Sequence, residues 1–303
     1  MTGPSLPPED TGWVLRRLEW MRESGLWPDG PRYLWTDAFG VVLLASLHRE
    51  LGEERWLAEA ERVVAEVERV LGRERGIRIG ETPDRDGQYY HYLAMWLYAL
   101  WRLGEAKPEY RRRALELVRE IHEPFVEPGR GIVWKMKEDL SDPYPGYGYG
   151  ALDPFHGYVV YRLLDEEALA DEIEELEDLV EDSYPDLRIH QDLGLGMMLW
   201  MTHFFPEERW AELQRMRSLH ELDRMWIDPP GYFCRDPRLR DVKFAFTNYG
   251  ISIGLQAVGE WPDRVAGLEE FFEDHESGDE YDTAAITWVM ACCSRFPGEL
   301  VRG

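Results

Sequence analysis

The 303-residue sequence is poor in cysteine and has no long uninterrupted apolar run. Cys234, Cys292 and Cys293 cannot build a disulfide framework, and their spacing is not that of a CxxC-type zinc site. No stretch approaches the roughly 20 apolar residues that a membrane-spanning helix needs. The opening segment Met1–Asp10 lacks the apolar core of a signal peptide. These absences predict a cytoplasmic protein.

Positive charge is also scarce, because 34 basic residues stand against 59 acidic ones and the formal net charge is -25. Such a negative surface repels nucleic-acid phosphates and anionic lipids, so neither a nucleic-acid nor a membrane partner is expected. The histidines are not spaced with acids as paired metal ligands, so no metal and no cofactor are predicted.

Alternating β-branched runs are nearly absent, and long amphipathic segments fill the sequence, which indicates an all-α protein. The helical segments predicted from the spacing of apolar residues are Trp13–Glu23, Trp35–Leu51, Glu54–Leu71, Gly87–Leu103, Pro108–Ile121, Ala151–Leu164, Glu166–Glu181, Asp192–Phe205, Pro206–Leu219, Phe244–Val258, Pro262–Glu273 and Tyr281–Phe296.

Two kinds of helix alternate along the chain. Trp35–Leu51 is apolar on most sides, which predicts a helix buried on most sides, whereas Glu54–Leu71 carries one apolar stripe and charges elsewhere. The same alternation continues to the end of the chain. It predicts six inner helices, each paired with an outer one.

Loop lengths predict the direction of the inner helices. Connections that leave an inner helix are short, whereas those that enter one are usually long, as in Arg73–Asp86 and Glu123–Gly150. The inner helices should therefore point the same way and begin at one common mouth. We predict an (α/α)6 toroid that forms a single domain over residues 1–303. An open solenoid of helical hairpins is the competing architecture, but the sequence shows no repeat of fixed period.

Acids stand at five of the six predicted starts of inner helices. Each acid taken alone could be an ordinary helix cap, and Asp153-Pro154 has the form of a cap followed by proline. In a toroid, however, these acids would converge on one cavity. Paired carboxylates facing each other are what glycoside chemistry requires, one acting as acid and the other as base or nucleophile. The acids in question are Asp37, Asp86, Asp153, Asp192 and Asp282.

Aromatic, amide and imidazole side chains accompany these acids. Aromatic rings can pack against the C–H faces of a sugar, while amides and imidazoles bind hydroxyl groups. His91 and His156 each lie a few residues inside an inner helix, where a core histidine is an equally good interpretation. The run Gly146–Gly150 is either a mobile gate or a tight loop. The predicted pocket lining is Trp35, Gln88, Tyr89, His91, His156 and Tyr249.

Several of these stretches together resemble the six-hairpin glycosidase-like proteins, and more closely those members of the group that lack an assigned activity. The resemblance is carried by Leu34–Gly40, Asp84–Tyr92, Trp134–Met136, Leu152–Tyr158 and Asp192–Gly194. It implies the (α/α)6 toroid. It also implies carbohydrate chemistry, since the group includes glycoside hydrolases that use paired acids and sugar epimerases that use histidines.

These observations predict a glycoside hydrolase that acts on a neutral oligosaccharide or glycoside, so the expected partner is a small-molecule carbohydrate. Asp86 and Asp153 are the predicted catalytic pair, and Asp84 is expected to be only a loop or cap residue. Two alternatives stay open: a sugar epimerase or isomerase that uses His91 and His156, and a sugar-binding toroid without catalysis. The predicted substrate contacts are Trp35, Asp37, Gln88, Tyr89, His91, His156, Asp192, Tyr249 and Asp282.

Overall fold

The computed structural model describes residues 8–226, 245–276, 278 and 280–302. These residues form twelve α-helices and four two-residue strands. The helices are α1 Pro8–Glu23, α2 Leu34–Leu51, α3 Glu54–Leu71, α4 Tyr90–Gly104, α5 Pro108–Phe125, α6 Asp153–Asp165, α7 Ala170–Ser183, α8 Asp192–Thr202, α9 Arg209–Met225, α10 Ala245–Val258, α11 Pro262–Asp274 and α12 Ala285–Arg295.

The chain divides into two compact units. One, here called the central unit, is Pro31–Leu187, and the other, the terminal unit, consists of Met1–Gly30 together with Arg188–Gly303. The single domain expected over the whole chain stays a prediction. Among the described residues, no helix has both the length and the apolar character to cross a membrane.

Three inner helices form the core of the central unit. Helix α4 packs against both α2 and α6, while α3, α5 and α7 each pack against the inner helix that precedes them. Helix α2 is buried without interruption from Leu34 to Leu47, whereas α3 buries only its apolar stripe. The predicted alternation of inner and outer helices is therefore confirmed here, and its cause is the distribution of apolar residues around each helix.

The inner helices of the central unit begin close together. The ring of Trp35, in the first turn of α2, lies 5.2 Å from that of Tyr92 in the first turn of α4. His91 Nδ1 in the same turn of α4 is 3.5 Å from Asp153 Oδ1 at the start of α6. The predicted convergence of helix starts therefore holds within this unit.

Short strands occupy the long loops of the central unit. Strand β1, Gln88–Tyr89, pairs with β4, Lys135–Met136, and β2, Val126–Glu127, pairs with β3, Gly131–Ile132. The helix predicted from Gly87 consequently begins at Tyr90, because the two residues before it are paired as a strand. A pair of two-residue strands is too short to show alternation in the sequence.

The terminal unit repeats the layering with α8, α10 and α12 as inner helices. Helix α10 packs against both α8 and α12, while α9, α11 and α1 lie on their outer side. Glycines allow α8 and α10 to approach closely: a Cβ atom on Gly254 would lie 2.1 Å from the carbonyl oxygen of Gly196. A larger side chain there would force the two helices apart.

Candidate active site

A histidine and an aspartate from different helices form the centre of the candidate site. Asp153 is the first residue of α6 rather than its cap, and its side chain is buried. Its Oδ1 accepts no hydrogen bond from the described residues. It lies 3.5 Å from His91 Nδ1, an ion-pair distance slightly long for a hydrogen bond. Catalytic pairs often tighten only when substrate binds.

A second histidine, His156, lies one turn after Asp153 on α6 and is buried. Burial, followed by the nearby charge of His91, lowers the pKa of His156 from 6.5 to about 3. His156 is therefore neutral throughout the physiological range. His91 is 22% exposed, so it is the histidine of the pair that a substrate can reach.

An aromatic wall surrounds His91. The Trp35 ring lies 6.0 Å from the His91 ring, and the Tyr89 and Trp134 rings stack 5.7 Å apart on another side. Trp134 is 41% exposed, so part of the wall faces solvent. Such flat, partly exposed rings suit the C–H face of a sugar. We define the aromatic wall as Trp35, Tyr89, Tyr92, Trp134 and Tyr147.

Gly150 fixes the position of the Asp153 carboxylate. A Cβ atom on Gly150 would lie only 1.6 Å from Asp153 Oδ2, so the carboxylate occupies the space that any side chain would take. The Gly150 amide donates to the Ile132 carbonyl at 2.9 Å, and the Trp134 amide donates to the Gly148 carbonyl at 2.9 Å. These bonds support the tight-loop interpretation of the run Gly146–Gly150.

Asp86, the other predicted catalytic acid, is held at the β1–β4 pair. Tyr144 Oη donates to its carboxylate at 2.7 Å, and Lys135 Nζ lies 3.2 Å away. These contacts, with Tyr144 first, lower the pKa of Asp86 below 3.8, so it is ionised at neutral pH. Asp84 lies on an exposed 3-10 helix, Pro83–Arg85. A hydrogen bond with Thr82 lowers its pKa.

Gln88 is hydrogen-bonded within the protein. Its Nε2 donates to the carbonyls of Arg75 at 2.9 Å and Glu138 at 2.7 Å, and its Oε1 accepts from the Ile77 amide at 2.8 Å. Because both amide hydrogens are engaged and the side chain is fully buried, Gln88 joins loop segments to each other. The sugar contact expected of Gln88 stays a prediction, and these internal bonds give it no support.

Asp37 also has its carboxylate engaged within the protein. Oδ1 lies 3.1 Å from Arg32 Nη1, and Oδ2 accepts from the Tyr33 amide at 3.2 Å. Both charged side chains are almost completely buried. This ion pair fastens the start of α2, and no oxygen of Asp37 lacks a partner. Its predicted role as a sugar contact gains no support from these contacts.

Three predicted residues, Asp192, Tyr249 and Asp282, lie in the terminal unit. Asp192 accepts from the Leu193 amide and from Thr247 Oγ1, both at 2.9 Å. Tyr249 is buried against Phe272, and Asp282 accepts from the Gly278 amide at 2.7 Å. The sugar contacts expected of these three residues stay predictions.

Five residues at the site are missing from the predicted contacts: Tyr92, Trp134, Lys135, Tyr144 and Tyr147. Tyr92, Tyr147 and Tyr144 come from a crowded helix start and a long loop, and Lys135 lies over the Tyr144 ring at 3.7 Å. Trp134-Lys135-Met136 was the available signal, as a compact aromatic and basic motif within the loop 123–150. No group of three or more His, Cys, Asp or Glu side chains within the described ranges could hold a metal ion.

The sequence matches no protein-family model, and a search of curated proteins finds no significant relative. Solved structures do match. D-mannose isomerase has a TM-score of 0.64 at 11% identity, covering 97% of this chain and 99% of the other. A cellobiose 2-epimerase from Spirochaeta thermophila has 0.62 at 14%, covering 98% and 99%. An alpha-1,6-mannanase from a Salegentibacter species has 0.62 at 12%, covering 96% and 99%.

These likenesses extend over almost the whole chain at TM-scores well above the level of chance, and their low identities restrict them to the fold. The expected (α/α)6 toroid is confirmed. The chain has the fold of the six-hairpin glycosidase-like proteins.

Proposed function

We propose that this six-hairpin chain is a carbohydrate-active enzyme that epimerises or isomerises a free sugar by proton transfer at His91. The observation that carries the proposal is the pairing of His91 with Asp153 at 3.5 Å. A carboxylate beside one imidazole nitrogen orients the ring and favours the tautomer with its hydrogen on that nitrogen, which leaves the other nitrogen available as a general base.

The proposed chemistry follows from the two histidines. His91 would take the proton from the sugar carbon next to a carbonyl, which leaves an enediolate and a protonated imidazole. Return of the proton from His91 to the neighbouring carbon gives an aldose–ketose isomer, whereas a proton delivered from solvent to the other face of the same carbon gives an epimer. His156, neutral because burial lowers its pKa to about 3, would serve as a hydrogen-bond partner in the same site.

The surroundings support a sugar as the substrate. The aromatic wall offers ring faces, and the Trp35 Nε1 hydrogen is buried without a hydrogen-bond acceptor among the described residues. A sugar hydroxyl could supply that acceptor. Two of the structural neighbours are named as a cellobiose 2-epimerase and a D-mannose isomerase, which is consistent with this reaction class.

Deuterium incorporation tests the proposal directly. The protein is incubated in heavy water with free aldoses, ketoses and disaccharides, and mass spectrometry and NMR follow deuterium at the carbon next to the carbonyl. We expect solvent deuterium in substrate and product, and a loss of about 10²-fold or more in rate for His91→Gln and Asp153→Asn.

His122→Gln is the matched control. His122 Nε2 lies 3.3 Å from Glu175 Oε2, so this pair resembles the His91–Asp153 pair, and the ring next to His122 is that of Tyr161, which is not part of the aromatic wall. Its variant should retain activity per folded molecule. Exchange that persists in His91→Gln would refute the assignment, and tight sugar binding without any exchange would indicate the sugar-binding toroid instead.

Hydrolysis is the second candidate, and the state of Asp86 favours it. A carboxylate held ionised by Tyr144 and Lys135 suits the base of a hydrolytic pair, with buried Asp153 as the acid. Release of reducing sugar from a panel of neutral glycosides, lost in both Asp86→Asn and Asp153→Asn, would support it. Hydrolysis ranks below proton transfer at His91, because contacts at the β1–β4 pair already bind the Asp86 carboxylate within the protein.

A further inference from the structure

A cavity of about 370 Å³ lies within the terminal unit. Its walls come from residues 188–190, from Leu195 in α8 and from residues 214–224 of α9. Its volume falls in the range of pockets that hold small organic molecules. The polar and charged side chains that line it include Arg188, His190, Arg217, Ser218, His220 and Arg224.

The lining is basic although the chain is strongly acidic. Among the described residues that line the cavity, three are arginines, two are histidines and one, Glu221, is an acid. Glu221 is already engaged, since its carboxylate lies 3.2 Å from His190 Nδ1 and 3.1 Å from Arg224 Nη1. In a protein of formal charge -25, a local excess of cations around a concavity favours an anionic ligand.

A buried hydroxyl group lies in the same cavity. Ser218 is 1% exposed, and its Oγ has no hydrogen-bond partner among the described residues. A buried hydroxyl without a partner lowers stability, because it has lost its hydrogen bonds to water and has formed none within the protein. The positive end of α8 is also near, since Leu195 in its first turns lines the cavity.

We infer that this cavity binds the phosphate group of a small molecule. Arginine presents several N–H donors in a planar fork that matches phosphate oxygens, and a hydroxyl can donate to a further oxygen. A phosphate has enough oxygens to engage several arginines and Ser218 together. The cavity is larger than phosphate alone requires, which leaves room for a small organic group attached to it. This inference does not depend on the function proposed for the central unit.

Calorimetric titration of the full chain tests the inference with three probes: inorganic phosphate, glucose 6-phosphate and glucose. We expect both phosphate compounds to bind and glucose not to bind at this cavity. Binding should weaken as sodium chloride is raised, because partly exposed charges are screened. Stronger binding of glucose 6-phosphate than of phosphate would identify a phosphate monoester as the ligand. Equal binding would identify free phosphate.

Two variants place any binding at this cavity. Ser218→Ala removes a hydroxyl that has no partner, so the melting temperature without ligand should hardly change while phosphate affinity falls about threefold to tenfold. Arg224→Gln should weaken binding about tenfold. Arg209→Gln makes the same charge change at the exposed start of α9, away from the cavity lining, and should leave affinity unchanged.

The outcome is decisive in either direction. Absence of phosphate binding by the wild-type protein at millimolar concentrations would overturn the inference. So would binding that Ser218→Ala and Arg224→Gln weaken no more than Arg209→Gln does. Glucose binding that survives in both cavity variants would instead report on the site of the central unit.

Discussion

Two aspartates at matching places in the two units differ in what surrounds them. Asp153 and Asp192 are each the first residue of an inner helix, and each is almost fully buried. Both oxygens of Asp192 accept hydrogen bonds, from the Leu193 amide and from Thr247 Oγ1. Asp153 Oδ1 accepts none and faces His91 instead. The neighbouring helix, rather than the helix start, distinguishes the two carboxylates.

Asp37 gives the same contrast within the central unit. It lies in the first turn of an inner helix, as Asp153 does, yet Arg32 and the Tyr33 amide engage both of its oxygens. A carboxylate whose partners are all internal stabilises the fold, whereas one with an oxygen left open can act on a ligand. This difference can be tested residue by residue.

The largest effect is expected for activity in Asp153→Asn compared with Asp192→Asn. The first substitution keeps the shape but removes the charge beside His91, so the rate of deuterium exchange should fall about 10²- to 10⁴-fold. The second disturbs two internal hydrogen bonds, so it should cost about 1–3 kcal/mol of unfolding free energy and leave the rate per folded molecule nearly unchanged. Equal rate losses in the two variants would contradict the proposed difference in role between Asp153 and Asp192.

Asp37→Asn should show the largest change in stability. It removes the carboxylate charge from the buried ion pair with Arg32, which we expect to cost about 3–5 kcal/mol in chemical denaturation. Asp142→Asn is the control, since it breaks an ion pair of 2.7 Å with Lys137 on the exposed surface and should change stability little. If the Asp37→Asn protein is stable but inactive, that result would support the predicted role of Asp37 as a substrate contact.

Gly150→Ala tests whether the position of Asp153 matters as much as its charge. The added methyl group would lie 1.6 Å from Asp153 Oδ2, so the carboxylate must move. A displacement of about 1 Å from the productive geometry can cost about 10²-fold in rate. Gly148→Ala is the control in the same run, because a Cβ atom there meets no heavy atom within 4 Å. Similar rates for both variants would argue against the positioning role.

The general architecture can be predicted from the sequence alone, because apolar residues recur at helical spacing along each helix. The continuous apolar surface of α2 and the single stripe of α3 predict inner and outer layers, and the structure has both. The loop lengths predict helix starts that converge, as Trp35, His91 and Asp153 do. Apolar periodicity and loop length are local properties of the sequence, so they can be interpreted without knowledge of the fold.

The roles of single polar residues could not be obtained in this way. Gln88 has the residue type and place of a sugar ligand, yet its partners are the carbonyls of Arg75 and Glu138, the latter 50 residues away in sequence. Asp86 likewise takes its character from Tyr144 in a distant loop. Which atoms satisfy a polar side chain is a property of the packed structure, and the sequence shows only the candidates.

The smallest expected effect, and the most specific test, concerns His156. This residue is buried and neutral, which distinguishes it from exposed histidines. Its pKa of about 3 lies below the 6.5 of the unfolded chain, so the unfolded state takes up the proton first. Stability should therefore fall as the pH decreases from 6.5 towards 3, with a loss of about 2 kcal/mol between pH 7 and pH 5 from this residue. Chemical denaturation across this range should show a smaller decrease in unfolding free energy for His156→Gln than for the wild-type protein. The control His48→Gln, at the surface end of α2, should show the same decrease as the wild-type protein. An unchanged pH dependence in His156→Gln would mean that His156 is protonated or solvated in the folded protein, and the neutral partner proposed for His91 would be lost.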